Sequence, residues 1–341
     1  IKDVYSCDMK QPSENRGDES SVGRMVANSY KDYVSAQLKR HIDIGVTQPG
    51  SLRTDAIPNS DGKLTYGNAV SISPFANELF ISELTGAQLK QILEEQWQVD
   101  SQGQRPSRPF LGLSFSAGFT YTVDTWDPNA RPGNHILSMW INGKLVKDDK
   151  TYTVIETSFL QTGGDNFRGF TAGKHSDSGF IDSDALINYA KDKGLNYNFR
   201  SDYARSSAVL KNHLLENIKA GSAFSQTIAN LNIYSDGAPQ NKTGEVYLLK
   251  NNSEKKIGTF KVNNGQSDIS AKIPDNISSG NYTVKYVVYP SNTTIYQNIS
   301  IISNNYPNPF YPDTGLPFKE ILSVFIILLI IASVCKKASK F

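Results

Sequence analysis

The chain is poor in cysteine, methionine, tryptophan and histidine, with two, three, three and four of them in 341 residues. Two cysteines cannot staple a small disulfide scaffold. Cys7 lies near the start and Cys335 inside the last apolar run, surroundings too unlike for an intrachain bond. No histidine or second cysteine accompanies Cys7, so it lacks the electropositive setting of a reactive thiolate. Charge of one sign is lacking too: 35 basic residues face 33 acidic ones, a formal net charge of +2. Composition therefore gives no basic face, and no nucleic-acid partner is expected. The opening Ile1-Lys2-Asp3-Val4-Tyr5 has neither the basic start nor the apolar stretch of a signal peptide, so the numbering is read as beginning in mid-protein. What remains, 38% hydrophobic and 20% charged, is ordinary globular material with a length suited to two or three domains.

Residues 16 to 38 read as a helix after a Gly-containing turn, with Val22, Met25, Val26, Tyr30, Val34 and Leu38 on one stripe. A second helix is marked by the capping-box spacing of Thr85-Gly86-Ala87-Gln88, with Leu89, Ile92, Leu93 and Trp97 on its face. Short strands are expected at 78–82, 118–123, 138–141 and 152–155. Asn142-Gly143 predicts a hairpin between Ile141 and Lys144. A last helix over Ser183 to Lys191 is expected to end before Gly194. Helices mixed with hairpin-linked strands argue for an α+β or layered α/β domain over residues 1–205.

From 206 to 303 Asn, Ser and Thr rise and alternating runs appear, such as 244–249 and 282–289. With turn clusters such as 275–280 between them, these strands predict an immunoglobulin-like β-sandwich. Val209 to Ile218 fits either strand or helix. Six Asn-x-Ser/Thr sequons lie between Asn241 and Asn298, and an Asn/Ser/Thr-rich stretch produces such triplets by chance. Residues 304–341 comprise a Pro/Asn-rich spacer, then Tyr311-Pro312-Asp313-Thr314-Gly315, an apolar run over 321–334, and Lys336, Lys337 and Lys340. Counted from Leu316, the run approaches the roughly 20 residues of a membrane span, with the lysines on the cytoplasmic side. The tail resembles the cell-wall sorting signal of Gram-positive surface proteins, with Tyr311 in the Leu position of the Leu-Pro-x-Thr-Gly pentapeptide that sortase cleaves. A plain transmembrane anchor and a buried helix are the other readings of this segment.

Three segments read as ligand loops. Asn15 to Gly23 puts Arg16 just before a helix, and Gln48-Pro49-Gly50-Ser51-Leu52-Arg53 presents a second arginine on a Pro-Gly turn. Guanidinium forks suit phosphate or carboxylate. In Ser158 to Phe167, Gly163-Gly164 lets the backbone turn and aims the carboxylate of Asp165, which could accept from two vicinal hydroxyls.

These segments, with Leu64-Thr65-Tyr66-Gly67, Ser73-Pro74-Phe75-Ala76-Asn77 and Leu84 to Lys90, occur in the order seen in the C-terminal domain of 5'-nucleotidases. Residues 14–192 resemble that family of bifunctional metallophosphatases. The resemblance implies a layered α/β nucleoside-binding domain, with Phe75 and Phe159 sandwiching the base and Asp165 holding the ribose hydroxyls. It further implies that Arg16 and Arg53 contact ribose and phosphate, that Gln48 stands in place of an Asn near the base, and that Asn77 supports its loop. Ser51 replaces the family's second Gly before the Leu-Arg pair.

In that family an N-terminal metallophosphatase domain supplies two divalent metal ions and the attacking water. No cofactor is assigned to this chain. Gly133-Asn134-His135 resembles the Gly-Asn-His-Glu metal motif, but Ile136 follows instead of Glu and the segment reads as a turn. His41, His175 and His213 are scattered without ligand spacing. The expected protein is the substrate-recognition part of a surface-anchored hydrolase of extracellular nucleotides. Its expected partners are a nucleotide, the metallophosphatase domain, the membrane and sortase. A non-catalytic surface adhesin built on a relic nucleotidase domain is the competing reading, and a cyclic-nucleotide or sugar-nucleotide hydrolase differs from the first in substrate only.

Overall fold

The computed structural model describes residues 15–54, 64–195, 202–212, 215–235, 237–251 and 253–303. Cys7, Cys335, His213, the Tyr311-Pro312-Asp313-Thr314-Gly315 motif and the apolar run that follows lie outside the described residues. Among the described residues no helix is long and apolar enough to cross a membrane.

Among the described residues the α-helices are α1 (Ser21–Leu38), α2 (Tyr66–Ile72), α3 (Gly86–Glu94), α4 (Ser158–Gln161) and α5 (Asp182–Leu195). In the first part of the chain the strands are β1 (Ile44–Thr47), β2 (Glu78–Thr85), β3 (Ser114–Phe115), β4 (Phe119–Val123), β5 (Ile136–Ile141), β6 (Lys144–Leu145), β7 (Thr151–Thr157) and β8 (Lys174–Ile181). Beyond residue 206 follow β9 (Ser207–Leu210), β10 (Ile218–Lys219), β11 (Ala223–Ala229), β12 (Thr243–Lys250), β13 (Ser253–Lys261), β14 (Ser267–Lys272), β15 (Gly280–Tyr289) and β16 (Thr293–Ile302).

The first helix starts five residues later than its apolar stripe predicts, because Ser20 takes the extended N-cap conformation and its hydroxyl accepts from Gly23 N at 3.0 Å. Arg16 to Glu19 are thereby left as loop. Leu38, at the end of the stripe, is 41% exposed and lies outside the core. The capping box at α3 is formed in both directions: Gln88 N donates to Thr85 Oγ1 at 3.2 Å, and Thr85 N to Gln88 Oε1 at 2.7 Å. Trp97 lies beyond the end of that helix, buried in the core. Asn142 and Gly143 both have positive φ (49° and 74°), the geometry of a tight hairpin between β5 and β6. The last helix does not stop before Gly194 but continues through it to Leu195; one internal glycine costs only about 1 kcal/mol. Of the stretch from Val209 to Ile218, Val209 and Leu210 lie in β9, which pairs on both sides, and Ile218 opens β10, so the described ends are strand.

A mixed five-stranded sheet of order β3-β1-β7-β2-β8 forms the first layer. Helices α1 and α5 cover one face, burying Val22, Val26, Tyr30 and Leu186 with Leu79 and Ile155. A second core on Trp97, Phe110, Leu113, Phe119 and Tyr121 joins α3 and β1 to the β4–β5 hairpin. The region is thus of mixed α/β build. Two further sheets, β10-β16-β15-β12-β13 and β14-β11-β9-β4-β5-β6, face each other across a third core. Leu210, Phe224, Ile228 and Ile269 meet Val246, Val284, Tyr286 and Ile299 there. In β15 burial alternates residue by residue, as expected of a strand with one face in a core. The hairpin β4–β5 belongs to the second of these sheets: β4 pairs in parallel with β9, Tyr121 opposite Ser207 and Val123 opposite Val209. Hydrogen bonding therefore runs unbroken across residue 205.

One buried carboxylate in the first sheet gives a pH test of the fold. Glu156 on β7 is fully buried; the Ser82 hydroxyl donates to its Oε1, and Oε2 has no hydrogen-bond partner among the described residues. His175 Nδ1 lies 2.6 Å from the same hydroxyl. Burial raises the Glu156 pKa well above its ordinary value of 4.5, against the smaller lowering by Ser82. A folded pKa above the unfolded one gives stability that is complete below the unfolded value and lost as pH rises through the folded one. Glu156→Gln is expected to flatten the fall of Tm as pH rises above about 4.5, read by thermal denaturation. An unchanged pH slope would show that Glu156 does not set it.

Candidate functional site

Four loops carry the nine sequence-derived residues. Arg16 sits on the loop before α1, its carbonyl accepting from Gly112 N at 2.8 Å. Gln48 closes β1 and precedes a 3₁₀ turn over Pro49–Ser51, after which Arg53 N donates to Ile72 O at 2.9 Å. Phe75 and Asn77 lie between α2 and β2. Phe159 is the second residue of α4, which is capped by Thr157, whose hydroxyl accepts from Leu160 N at 3.4 Å. Gly163 then takes φ 82°, and Asp165 and Asn166 follow at 52° and 62°. Two successive non-glycine residues in the left-handed region are costly, about 1–3 kcal/mol each, and such strain gathers at ligand sites.

The loops converge on Gly50. A methyl group there would sit 3.1 Å from Asp165 Oδ2, 3.3 Å from Arg16 Nη1 and 3.9 Å from Gln48 Cγ. A side chain at residue 50 would make the carboxylate and the guanidinium give way by a few tenths of an ångström. Burial pushes the Asp165 carboxyl above its ordinary pKa, while Arg16, Arg108 and Arg53 pull it back. Arg53 also stands 4.8 Å from the centroid of the Phe75 ring. Phe75 and Phe159 are 47% and 40% exposed, which rules out core packing for either ring. Among the described residues no ring contact joins them. Phe159 lies flat against Gly164, whose missing Cβ would come within 2.4 Å of Cε1.

Asn77 Nδ2 donates to Asp182 Oδ2 at 3.0 Å, and Asp182 N to Asn77 O at 2.9 Å, so Asn77 fastens its loop to the start of α5. Gln48 is buried, and its Oε1 has no hydrogen-bond partner among the described residues. A desolvated acceptor left open costs about 1–3 kcal/mol. Arg108 was missed; its signal is the arginine between two prolines in Arg105-Pro106-Ser107-Arg108-Pro109. Gln98, which accepts from Asn166 Nδ2 at 2.9 Å, gives no sequence signal at all.

The histidines are accounted for structurally. His41 Nε2 lies 3.1 Å from Asp43 Oδ1. Gly133 and Asn134 have positive φ, and His135 packs 4.3 Å from the Trp97 ring with Nδ1 2.9 Å from Asp124 Oδ1. Among the described residues no group of three or more His, Cys, Asp or Glu is placed to hold a metal ion, so they do not fit a dimetal centre. A cavity of about 690 Å³ opens elsewhere, between Lys147 and Tyr152 and the strand residues Thr283 and Asn298, and none of the nine residues lines it.

A carboxylate among three arginines, with two exposed phenyl rings on adjoining loops, is an arrangement chemically suited to an anionic ligand with a flat face. Residues 5–172 match the family model of the 5'-nucleotidase C-terminal domain, and the curated relatives support that family for this portion of the chain. A cell wall protein of Listeria monocytogenes is 29% identical over 196 residues, covering 56% of this chain and 24% of that protein. A trifunctional nucleotide phosphoesterase protein of Bacillus subtilis is 28% identical over 185 residues, covering 52% of this chain and 12% of that one. The chain thus spans a minor part of the curated relatives it matches. Among solved structures, a 5'-nucleotidase precursor from Thermus thermophilus is 23% identical with a TM-score of 0.42, covering 52% of this chain and 34% of that one.

Proposed function

We propose that this chain is the nucleotide-recognition part of a surface-anchored 5'-nucleotidase-like phosphohydrolase that degrades extracellular nucleotides. Phe75 and Phe159 clamp the base, Asp165 accepts from the ribose hydroxyls, and Arg16 and Arg53 face the phosphate. Gln48 offers its open acceptor to the base edge, and Gly163 and Gly164 shape the turn that carries Asp165. The observation that carries this reading is the approach of Asp165 and Arg16 over Gly50, with Arg53 beside the exposed Phe75 ring. The two divalent ions and the attacking water belong, in this reading, to a separate N-terminal metallophosphatase domain. Residues 206–303 are read as an immunoglobulin-like spacer, and 304–341 as the membrane and sortase-directed anchor. The match to a cell wall protein supports a surface location.

The test separates sugar from phosphate. Asp165→Asn is expected to narrow the preference for adenosine over 2'-deoxyadenosine by about fivefold, because the lost acceptor matters only where the hydroxyl is present. Calorimetric titration of both nucleosides reads the ratio. A ratio unchanged from the wild type would remove Asp165 from the ribose site.

A further inference from the structure

The loop that carries Arg16 is held from the far side of residue 205. Arg205, just before β9, is completely buried: Nη2 donates to Asp18 Oδ1 at 2.6 Å and Nη1 to Asn232 O at 2.9 Å, while the guanidinium carbon lies 5.5 Å from the Trp126 ring. Glu19, next in the loop, accepts from Ser206 N at 2.6 Å, from Ser207 N at 2.8 Å and from the Ser207 hydroxyl. Arg24 on α1 adds Nη1 to Ser206 Oγ at 3.0 Å. Opposite, Gly112 N donates to Arg16 O, and a methyl at Gly112 would sit 3.0 Å from Asp18 O. Burial disfavours the charge on Arg205, but Asp18 and Glu19 overcome it and raise its pKa above the ordinary value. A guanidinium stripped of water tolerates no loss of these partners. Asp18 and Glu19 are therefore fixed in one place, two and three residues from Arg16.

We propose that Arg205 is a positioning residue for the nucleotide site: with the β9 amides it grips Asp18 and Glu19 and so sets where the Arg16 guanidinium stands. The sandwich is then part of the recognition device, and a change at residue 205 reaches the ligand without touching it. This rests on the reading of Arg16 as a phosphate-facing residue.

The experiment uses the full chain and two variants, Arg205→Met and Asp18→Asn, the second nearly isosteric and chosen to fold if the first does not. Hydrogen exchange by mass spectrometry is expected to show the amides of residues 17–20 exchanging at least about tenfold faster in the variants, with β15 and β16 unchanged. Titrations are expected to show AMP affinity falling several-fold more than adenosine affinity. Unchanged exchange in the loop of Asp18→Asn would overturn the proposal. So would faster exchange with AMP and adenosine affinities both intact, since Arg205 would then only stabilise. If the wild type binds no AMP, the nucleotide reading fails by itself, and the loop exchange still decides whether Arg205 holds the loop that carries Arg16.

Discussion

Trp97→Ala is expected to lower the stability of the chain by about 3–5 kcal/mol, the range for removing a large aromatic from a closed core. Trp97 is 1% exposed and edge-packed on Phe110 at 4.9 Å and on Trp126 at 6.3 Å, with His135 against it at 4.3 Å. Its Nε1 donates to Asp127 O at 3.0 Å, so truncation also removes one of two hydrogen bonds to that carbonyl, Ala130 N keeping the other at 3.0 Å. The hole would open where α3, the β4–β5 hairpin and Phe110 meet, close in sequence to Arg108. Urea denaturation measures the loss. A cost below about 1 kcal/mol would mean that the three elements collapse onto the space, and that the core is not the rigid junction its ring geometry implies.

Gly164→Ala is expected to leave stability nearly unchanged and to weaken nucleotide binding by about 1–3 kcal/mol, as much as Phe159→Ala, the range for one base–aromatic stack. The new methyl would come within 2.4–2.6 Å of three carbons of the Phe159 ring. That ring is 40% exposed and free to swing into solvent, so the clash is relieved cheaply, at the expense of the stacking surface. The double variant decides between explanations. Once the ring is gone, adding Gly164→Ala to Phe159→Ala should cost little more, whereas additive losses would show that the glycine acts through the Asp165 turn instead. Calorimetry with AMP reads all four members of the cycle.

The elements legible in the sequence are those with a local cause. The capping box at Thr85 and Gln88, the Asn142-Gly143 hairpin and the alternation in β15 each follow from contacts within a few residues, and each is found. The start of α1 at Ser21 was less legible, since Asp18 and Glu19 look like a helical first turn until their partners Arg205, Ser206 and Ser207 are seen 187 and 188 residues away. In the site, the motif residues Arg16, Gln48 and Asp165 do meet over Gly50, whereas Asn77 turns away to Asp182. Gln98 was invisible, and Arg108 was marked only by its place between two prolines, because both reach the site through tertiary packing from stretches with no regular pattern. Glu156 was unreadable for the same reason: nothing in Val154-Ile155-Glu156-Thr157 tells that the carboxylate points inward to Ser82.

The parallel pairing of β4 with β9 bears on how the protein can be cut. A piece ending at residue 205 looks natural from composition, yet it would strip β4 of its neighbour and leave a row of amides and carbonyls open to solvent. It would also remove the serine amides that hold Glu19, and leave Tyr121, Val123 and Met139 under a thinner cover. An open strand beside an apolar face invites pairing between molecules. Such a fragment should self-associate, while a piece that keeps the chain to residue 303 should stay monodisperse.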